Sequence, residues 1–179
     1  MPSTWSQEKY IKALQYAAKA HKGQSVPGSD LPYVVHVTMV AMEVMAALAH
    51  EDNLNGELAV QCALLHDVIE DTGKSYQKLA AEFGRDVAEG VLALSKNNIL
   101  KDEQEKMADS LARIKQQPRE IWMVKLADRI TNLQPPPGHW RSEKIARYRE
   151  EGKLILNELE AACPYLAERL KQKIREYAI

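Results

Sequence analysis

The chain has 179 residues, of which 45% are hydrophobic, and its 24 basic residues nearly balance its 25 acidic ones. This length and composition predict one globular domain, 1–179, and exclude a disordered chain. A net charge of -1 provides no global basic field, so we do not expect a nucleic-acid-binding protein.

Apolar residues recur with helical periodicity along the chain, and the alternation typical of strands is nearly absent. Glycine and proline positions mark the ends of the predicted helices. In chain order we predict helices from just after residue 6 to about 21, 35 to about 50, 57 to about 69, about 75–83, 86–94, 101–116, 120–133, 142–162 and 164–177. The fold class is therefore predicted to be all-α, a single compact multi-helix domain.

The sequence also predicts the cellular compartment. No window approaches the roughly 18 apolar residues of a membrane span, so we expect no membrane partner. The first 24 residues have no apolar core of the kind that marks a signal peptide. Cys62 and Cys163 lie in apolar helical segments without metal-binding spacings, which is typical of buried, reduced thiols. These features predict a cytoplasmic protein.

One predicted helix, 57–69, is apolar but ends in a polar cluster: His66, Asp67, Glu70 and Asp71. Residues three and four apart share a helix face, so we expect His66 to align with Glu70, and Asp67 to align with both later acids. Burial of an unpaired charge costs a desolvation free energy on the order of several kcal/mol. A bound cation would offset that cost.

Two more residues extend this cluster. His36 begins the second helix, and Asp128 lies on an otherwise apolar helix. Taken singly, each has an ordinary explanation, as a helix-start residue and as a salt-bridge partner. Together with His66 and Asp67 they offer two imidazoles and two carboxylates, which predicts one metal ion. Such mixed ligands with open positions suit Mn²⁺ better than structural zinc, although other divalent transition metals stay open.

Glu70 and Asp71 follow the predicted ligands by one helical turn. They would orient or deprotonate a water molecule, or protonate a leaving oxygen. The alternative is an acidic helix end without a function. Carboxylates oppose the helix dipole at a C-terminus, so this placement favours a functional explanation.

The order His36, His66-Asp67, Asp128 resembles the HD metal-dependent phosphohydrolase superfamily. Longer segments are similar to the hydrolase half of the Rel/Spo alarmone enzymes: His-Lys-Gly-Gln (21–24), Pro-Tyr-Val-Val-His (32–36), Leu-Leu-His-Asp-Val-Ile-Glu-Asp-Thr (64–72) and Val-Lys-Leu-Ala-Asp-Arg-x-x-Asn-Leu (124–133). A chain of this length has no room for the synthetase and regulatory domains of the long enzymes. It therefore resembles the stand-alone small alarmone hydrolases, including those of metazoa.

The resemblance implies removal of the 3′-diphosphate from (p)ppGpp, giving GDP or GTP and pyrophosphate. It implies Mn²⁺ held by His36, His66, Asp67 and Asp128, with Glu70 and Asp71 as the catalytic pair. Phosphoryl transfer depends on neutralising charge at the transferring oxygens, which requires donors around the nucleotide. The candidate substrate-binding residues are Lys22, Lys125, Arg129, Asn132, Lys144 and Tyr148.

One departure from the family bears on base selection. The long enzymes usually carry Arg-Lys shortly after the His-x-Gly-Gln segment, and that arginine packs against guanine. Residues 25–31 here read Ser-Val-Pro-Gly-Ser-Asp-Leu, without a base-facing cation. We therefore expect adenosine alarmones, (p)ppApp, to be accepted as well. Two other functions stay open: an HD phosphohydrolase for another nucleotide or phosphodiester, and a non-catalytic nucleotide-binding module.

Overall fold

The computed structural model describes residues 4–177. Within that range the regular elements are all helices, and the all-α prediction is confirmed. Ser25 and Pro32 form an isolated bridge. None of the helices there combines the length and hydropathy that crossing a bilayer requires. The helices are α1 (Gln7–Ala20), α2 (Val34–Leu48), α3 (Gly56–Leu65), α4 (Val68–Thr72), α5 (Tyr76–Phe83), α6 (Arg85–Leu94), α7 (Glu103–Ile114), α8 (Arg119–Asn132), α9 (Ser142–Leu159) and α10 (Pro164–Glu176), with a 3₁₀ turn at Glu160–Ala162.

Short polar side chains define where several helices begin. The Ser6 hydroxyl accepts from the Lys9 amide at 3.4 Å at the start of α1. The Asn55 side chain accepts from the Leu58 amide at 3.0 Å at the start of α3. Such caps satisfy amides that have no partner inside the helix. They explain why most of the predicted helix ends lie close to the observed ones.

The predicted helix 57–69 is wrong in one respect, because it is broken at His66 and Asp67. Helix α3 ends at Leu65 and α4 begins at Val68. A continuous helix would offer the Ala63 carbonyl to the Asp67 amide. Here that carbonyl lies 2.8 Å from His66 Nδ1, and Asp67 adopts φ −99° and ψ 0°, outside regular helical geometry. The predicted single helix is therefore two helices, with His66 and Asp67 at the junction and with Glu70 and Asp71 on α4.

Helix α8 lies at the centre of the packing and contacts α2, α3, α9 and α10. Its Ile121, Val124 and Ile130 are fully buried. Close approach to α6 depends on Gly90, where an added Cβ would lie 2.5 Å from Ile121 Cδ1. Because α2, the α3–α4 junction and α8 meet at the same end of this core, their polar residues come together there.

Candidate metal and substrate site

Four side chains converge where α2, the α3–α4 junction and α8 meet. Ligand atoms of His36, His66 and Asp67 all lie within 4.8 Å of one another. Asp128 Oδ1 lies 3.4 Å from His36 Nε2 and 3.7 Å from His66 Nε2. Asp67 is partly buried, and the other three are buried. The structure thus brings together all four residues that the sequence predicts as metal ligands.

The orientation of His66 leaves one nitrogen available. Its Nδ1 lies 2.8 Å from the Ala63 carbonyl, which can only accept, so Nδ1 carries the proton. Its Nε2 is buried and has no hydrogen-bond partner among residues 4–177. Asp67 Oδ2 lies 2.9 Å from Nε2, but outside hydrogen-bonding geometry. A buried ring nitrogen without a hydrogen-bond partner, with the opposite nitrogen fixed by a carbonyl, is typical of a metal-binding histidine.

The electrostatics of the cluster favour positive charge. Burial lowers the pKa of His66, but the Asp67 and Asp128 carboxylates outweigh it and raise that pKa to about 9. Burial raises the pKa of Asp67, and the facing imidazole reverses this to give a net lowering. The pKa of Asp128 is likewise held well below its ordinary value, against burial, by Lys125 and the imidazoles. Two ionised carboxylates beside two imidazoles fit a divalent cation.

Tyr33 and the His-x-Gly-Gln segment support this cluster, a role that sequence reasoning did not assign to them. The Tyr33 hydroxyl donates to Asp67 Oδ2, and its ring stacks on His21 at 4.7 Å between centroids. His21 Nδ1 is 2.8 Å from Gln24 Oε1, and the Gln24 amide donates to Asp71 Oδ2 at 3.2 Å. The two sequence motifs thus connect α1 to a predicted ligand and to a predicted catalytic acid.

Two predicted substrate-binding residues also contact a predicted metal ligand. The Asn132 amide donates to Asp128 Oδ1 at 2.6 Å, and Lys125 Nζ donates to Asp128 Oδ2 at 3.2 Å. Both follow from helical spacing on α8, since they lie four residues after and three residues before the acid. Their contacts fix the carboxylate and help to keep it ionised.

The predicted catalytic acids differ in their surroundings. Glu70 is partly buried, and its Oε2 accepts from the Lys96 backbone amide at 2.7 Å. Burial raises the pKa of Glu70, and the amide only partly opposes this effect. Asp71 is exposed and bound to Gln24. Glu70 is therefore the acid better suited to gain and lose a proton.

A cavity of about 440 Å³ opens beside the cluster. Its wall includes the four predicted ligands and both acids, together with five predicted substrate-binding residues: Lys125, Arg129, Asn132, Lys144 and Tyr148. The sixth, Lys22, is exposed in the turn after α1 and does not line this cavity. Lys96 and Arg147 also line it, and neither was among the predicted site residues.

Acidic side chains hold the cations of this wall in place. Glu151 Oε2 accepts from Arg129 Nη2 at 3.1 Å, and its other oxygen lies 3.8 Å from Arg147 Nε. The Arg129 guanidinium lies 5.2 Å from the centre of the Tyr148 ring. Arg129 is 5% exposed, and two of its nitrogens have no hydrogen-bond partner among the described residues. A buried guanidinium with unused donors is suited to an anionic ligand.

Comparison with known proteins gives one family and several relatives. The sequence model of the HD domain family matches residues 13–162. The chain is 29% identical to the guanosine-3′,5′-bis(diphosphate) 3′-pyrophosphohydrolase MESH1 of Drosophila melanogaster, over 97% of each chain. It is 35% identical to the bifunctional (p)ppGpp synthase/hydrolase SpoT of Escherichia coli, over 83% of this chain and 21% of that enzyme.

A solved structure gives a similar result. A metazoan SpoT ortholog, described as hydrolysing ppGpp and acting in starvation responses, superposes with a TM-score of 0.81. The two chains are 28% identical, and the match covers 98% of this chain and 99% of that one. The likeness therefore extends over almost the whole fold that positions the cluster.

Proposed function

This chain belongs to the HD domain family, and on that premise we propose that it is a metal-dependent alarmone 3′-pyrophosphohydrolase. The substrate would be (p)ppGpp, and the products would be GDP or GTP and pyrophosphate. The observation that carries the proposal is the buried cluster of His36, His66, Asp67 and Asp128 beside a cavity lined with cations. The pyrophosphohydrolases among its relatives support the same substrate class.

We propose one divalent ion at this cluster, with Mn²⁺ as the first choice because imidazole and carboxylate ligands are mixed. When bound, the ion would polarise a phosphoryl oxygen and lower the pKa of a water molecule. The free Nε2 of His66 and the two ionised carboxylates support this assignment. Other divalent transition metals satisfy the same donor set.

The reaction joins a water oxygen to the phosphorus attached to the ribose 3′-oxygen, and the bond from that phosphorus to the 3′-oxygen breaks. The water loses a proton, and the 3′-oxygen gains one. We assign proton transfer to Glu70, held by the Lys96 amide, and positioning of the water to Glu70 and Asp71. Lys125, Arg129 and Lys144 would bind the phosphates, because each lines the cavity.

We further propose that adenosine alarmones are substrates. Val26 and Pro27 line the cavity close to the position where the long relatives carry Arg-Lys. Neither side chain is charged, so neither provides a cation to stack on guanine. Val26 and Pro27 therefore give no preference for guanosine over adenosine.

The domain extent, the partner and the compartment are also proposals. One domain would span 1–179, supported by a single buried core to which α1 to α10 all contribute, although both ends of that range lie outside the described residues. The partner would be a small nucleotide, not nucleic acid or a membrane. The two buried free thiols support a reducing compartment, the cytoplasm.

The test is a substrate panel with pyrophosphate release as the readout. Nucleotides with and without a 3′-diphosphate, including ppGpp and ppApp, are compared in Mn²⁺ and in EDTA. Release only from 3′-diphosphates, and only with metal, is the expected result. Turnover of another nucleotide or a phosphodiester alone would favour a different HD phosphohydrolase, and binding of ppGpp without release would indicate a binding module.

Variants separate the roles of the residues. Asp67→Ala and Asp128→Ala should each abolish metal binding, measured by elemental analysis. Glu70→Gln should keep the metal and lose turnover. A fully active Glu70→Gln protein would contradict the role assigned to this acid.

A further inference from the structure

One arginine of α7, Arg113, connects that helix to the end of α6. Its Nη1 donates to the Leu92 carbonyl at 2.6 Å and to the Ala93 carbonyl at 3.0 Å. Its Nη2 donates to the Ser95 carbonyl at 2.8 Å. Carbonyls in the last turn of a helix have no partner inside the helix, and the helix dipole favours a cation there. Arg113 therefore fixes the path of the chain where α6 ends.

The Ser95 carbonyl belongs to the same peptide group as the Lys96 amide. That peptide is trans, so its C=O and N–H lie in one plane and point in opposite directions. Arg113 binds the oxygen of this plane, and Glu70 Oε2 accepts from its N–H at 2.7 Å. Any rotation of the plane that breaks the bond to Arg113 also moves the donor of Glu70. A cation on the oxygen further polarises the peptide, which strengthens the N–H as a donor.

The two sides of this contact are themselves held in place. Arg113 Nε donates to Asp109 Oδ2 at 2.9 Å, one turn earlier on α7. Ser95 is 5% exposed, and its hydroxyl donates to the Val91 carbonyl at 2.8 Å. The guanidinium and the residue before Lys96 are thus both fixed, so the direction of the Lys96 amide is set by their contact.

We propose that Arg113 is a positioning residue for hydrolysis, and that it orients Glu70 through the peptide between Ser95 and Lys96. The inference rests on the proposed function, in which Glu70 transfers a proton. Arg113 does not line the cavity beside the metal cluster, so it does not act on the substrate directly. Without the guanidinium, Glu70 loses the fixed donor that sets its orientation. Misplacement of a reacting group by about 1 Å lowers a rate by about 100-fold.

The first experiment uses Arg113→Met, which removes the guanidinium and keeps the aliphatic stem. Steady-state kinetics on ppGpp in Mn²⁺ should show a kcat about 10- to 100-fold lower, with KM little changed and bound metal at the wild-type level. Arg119→Met is the matched control, because Arg119 also donates to a main-chain carbonyl, that of Ala162 at 2.7 Å, and does not line the cavity. Its kcat should equal that of wild type.

Two further variants make this test sharper. Arg113→Lys keeps the charge but lacks the planar fork that reaches three carbonyls, so its kcat should lie between wild type and Arg113→Met. It carries both readouts if Arg113→Met does not fold. Lys96→Pro removes the amide donor, so adding Arg113→Met to it should lower kcat no further. A further 10-fold decrease would show that Arg113 acts by another route and would overturn the proposal.

A second readout does not depend on hydrolysis. Hydrogen exchange of the Lys96 amide, followed by NMR, should be about 10-fold faster in Arg113→Met than in wild type or Arg119→Met. If wild type releases no pyrophosphate, the proposed function fails, yet faster exchange would still support the link from Arg113 to the donor of Glu70. Unchanged exchange, a wild-type kcat in Arg113→Met, or an equal loss of kcat in Arg119→Met would overturn the inference alone.

Discussion

Replacing Tyr33 with phenylalanine removes one hydroxyl that donates to Asp67 and keeps the ring that stacks on His21. Hydrogen bonds to charged groups contribute about 1.5–3 kcal/mol. Because Tyr33 is only 8% exposed, water has little access to replace the lost donor. Loss of a bond that supports a metal ligand costs about 10- to 100-fold in metal affinity. That factor corresponds to about 1.4–2.8 kcal/mol, so the two magnitudes agree.

The assay is competition between the protein and a chelator for Mn²⁺, with bound metal measured directly. We expect Tyr33→Phe to bind Mn²⁺ about 10- to 100-fold more weakly than wild type. Tyr16 lies on α1, and its ring packs against Phe83. Tyr16→Phe is the matched control and should leave the affinity for Mn²⁺ unchanged. Wild-type affinity in Tyr33→Phe would refute the idea that this hydroxyl holds Asp67 in position for a metal.

Four further predictions concern the stability of the fold and the reactivity of its thiols. Gly90→Ala should lower the free energy of unfolding by about 1–3 kcal/mol in urea titrations, because the added methyl would overlap its neighbours. Burial raises the pKa of the Cys62 and Cys163 thiols, so both should resist a thiol reagent at pH 8 until the protein unfolds. Above about pH 8.5 the thiols of the unfolded chain lose their protons, whereas those of the folded protein keep them. The free energy of unfolding should therefore fall as the pH rises above that value. Glu151→Gln should destabilise the fold by about 1–3 kcal/mol, because buried Arg129 loses its carboxylate partner.

Each of these has a control or a contrary outcome. Gly138→Ala, where an added Cβ meets nothing within 4 Å, should unfold at the wild-type urea concentration. Rapid labelling of either thiol in the native protein would contradict the pKa argument. Wild-type stability in Glu151→Gln would mean that Arg129 does not depend on that carboxylate.

Much of the fold could be predicted from the sequence because its determinants are local. Apolar periodicity, capping residues such as Ser6 and Asn55, and Gly84 with φ +89° fix most helix ends. The break at His66 could not be predicted, since it depends on a side chain competing for a carbonyl of its own helix. The periodicity of an apolar segment does not indicate that competition.

Part of the candidate site could also be predicted from the sequence, and part of it could not. The spacing of the predicted ligands limits which faces of α2, α3 and α8 meet, so their convergence could be predicted. Lys22 was expected near phosphate from its place in a motif, yet it is exposed outside the cavity. The role of Tyr33 was missed because Tyr33 and Asp67 are 34 positions apart and meet only through the packing of α2 and α3. Contacts of that range leave no pattern in a single sequence.

The bond from the Lys96 amide to Glu70 has a consequence for how this protein tolerates change. The donor belongs to the main chain, so nearly any residue at position 96 supplies it equally well. Only proline lacks the donor. Lys96→Ala should therefore leave the acid anchored, whereas Lys96→Pro should release it and slow hydrolysis. A contact that the main chain makes can therefore be kept when the residue type at its position changes.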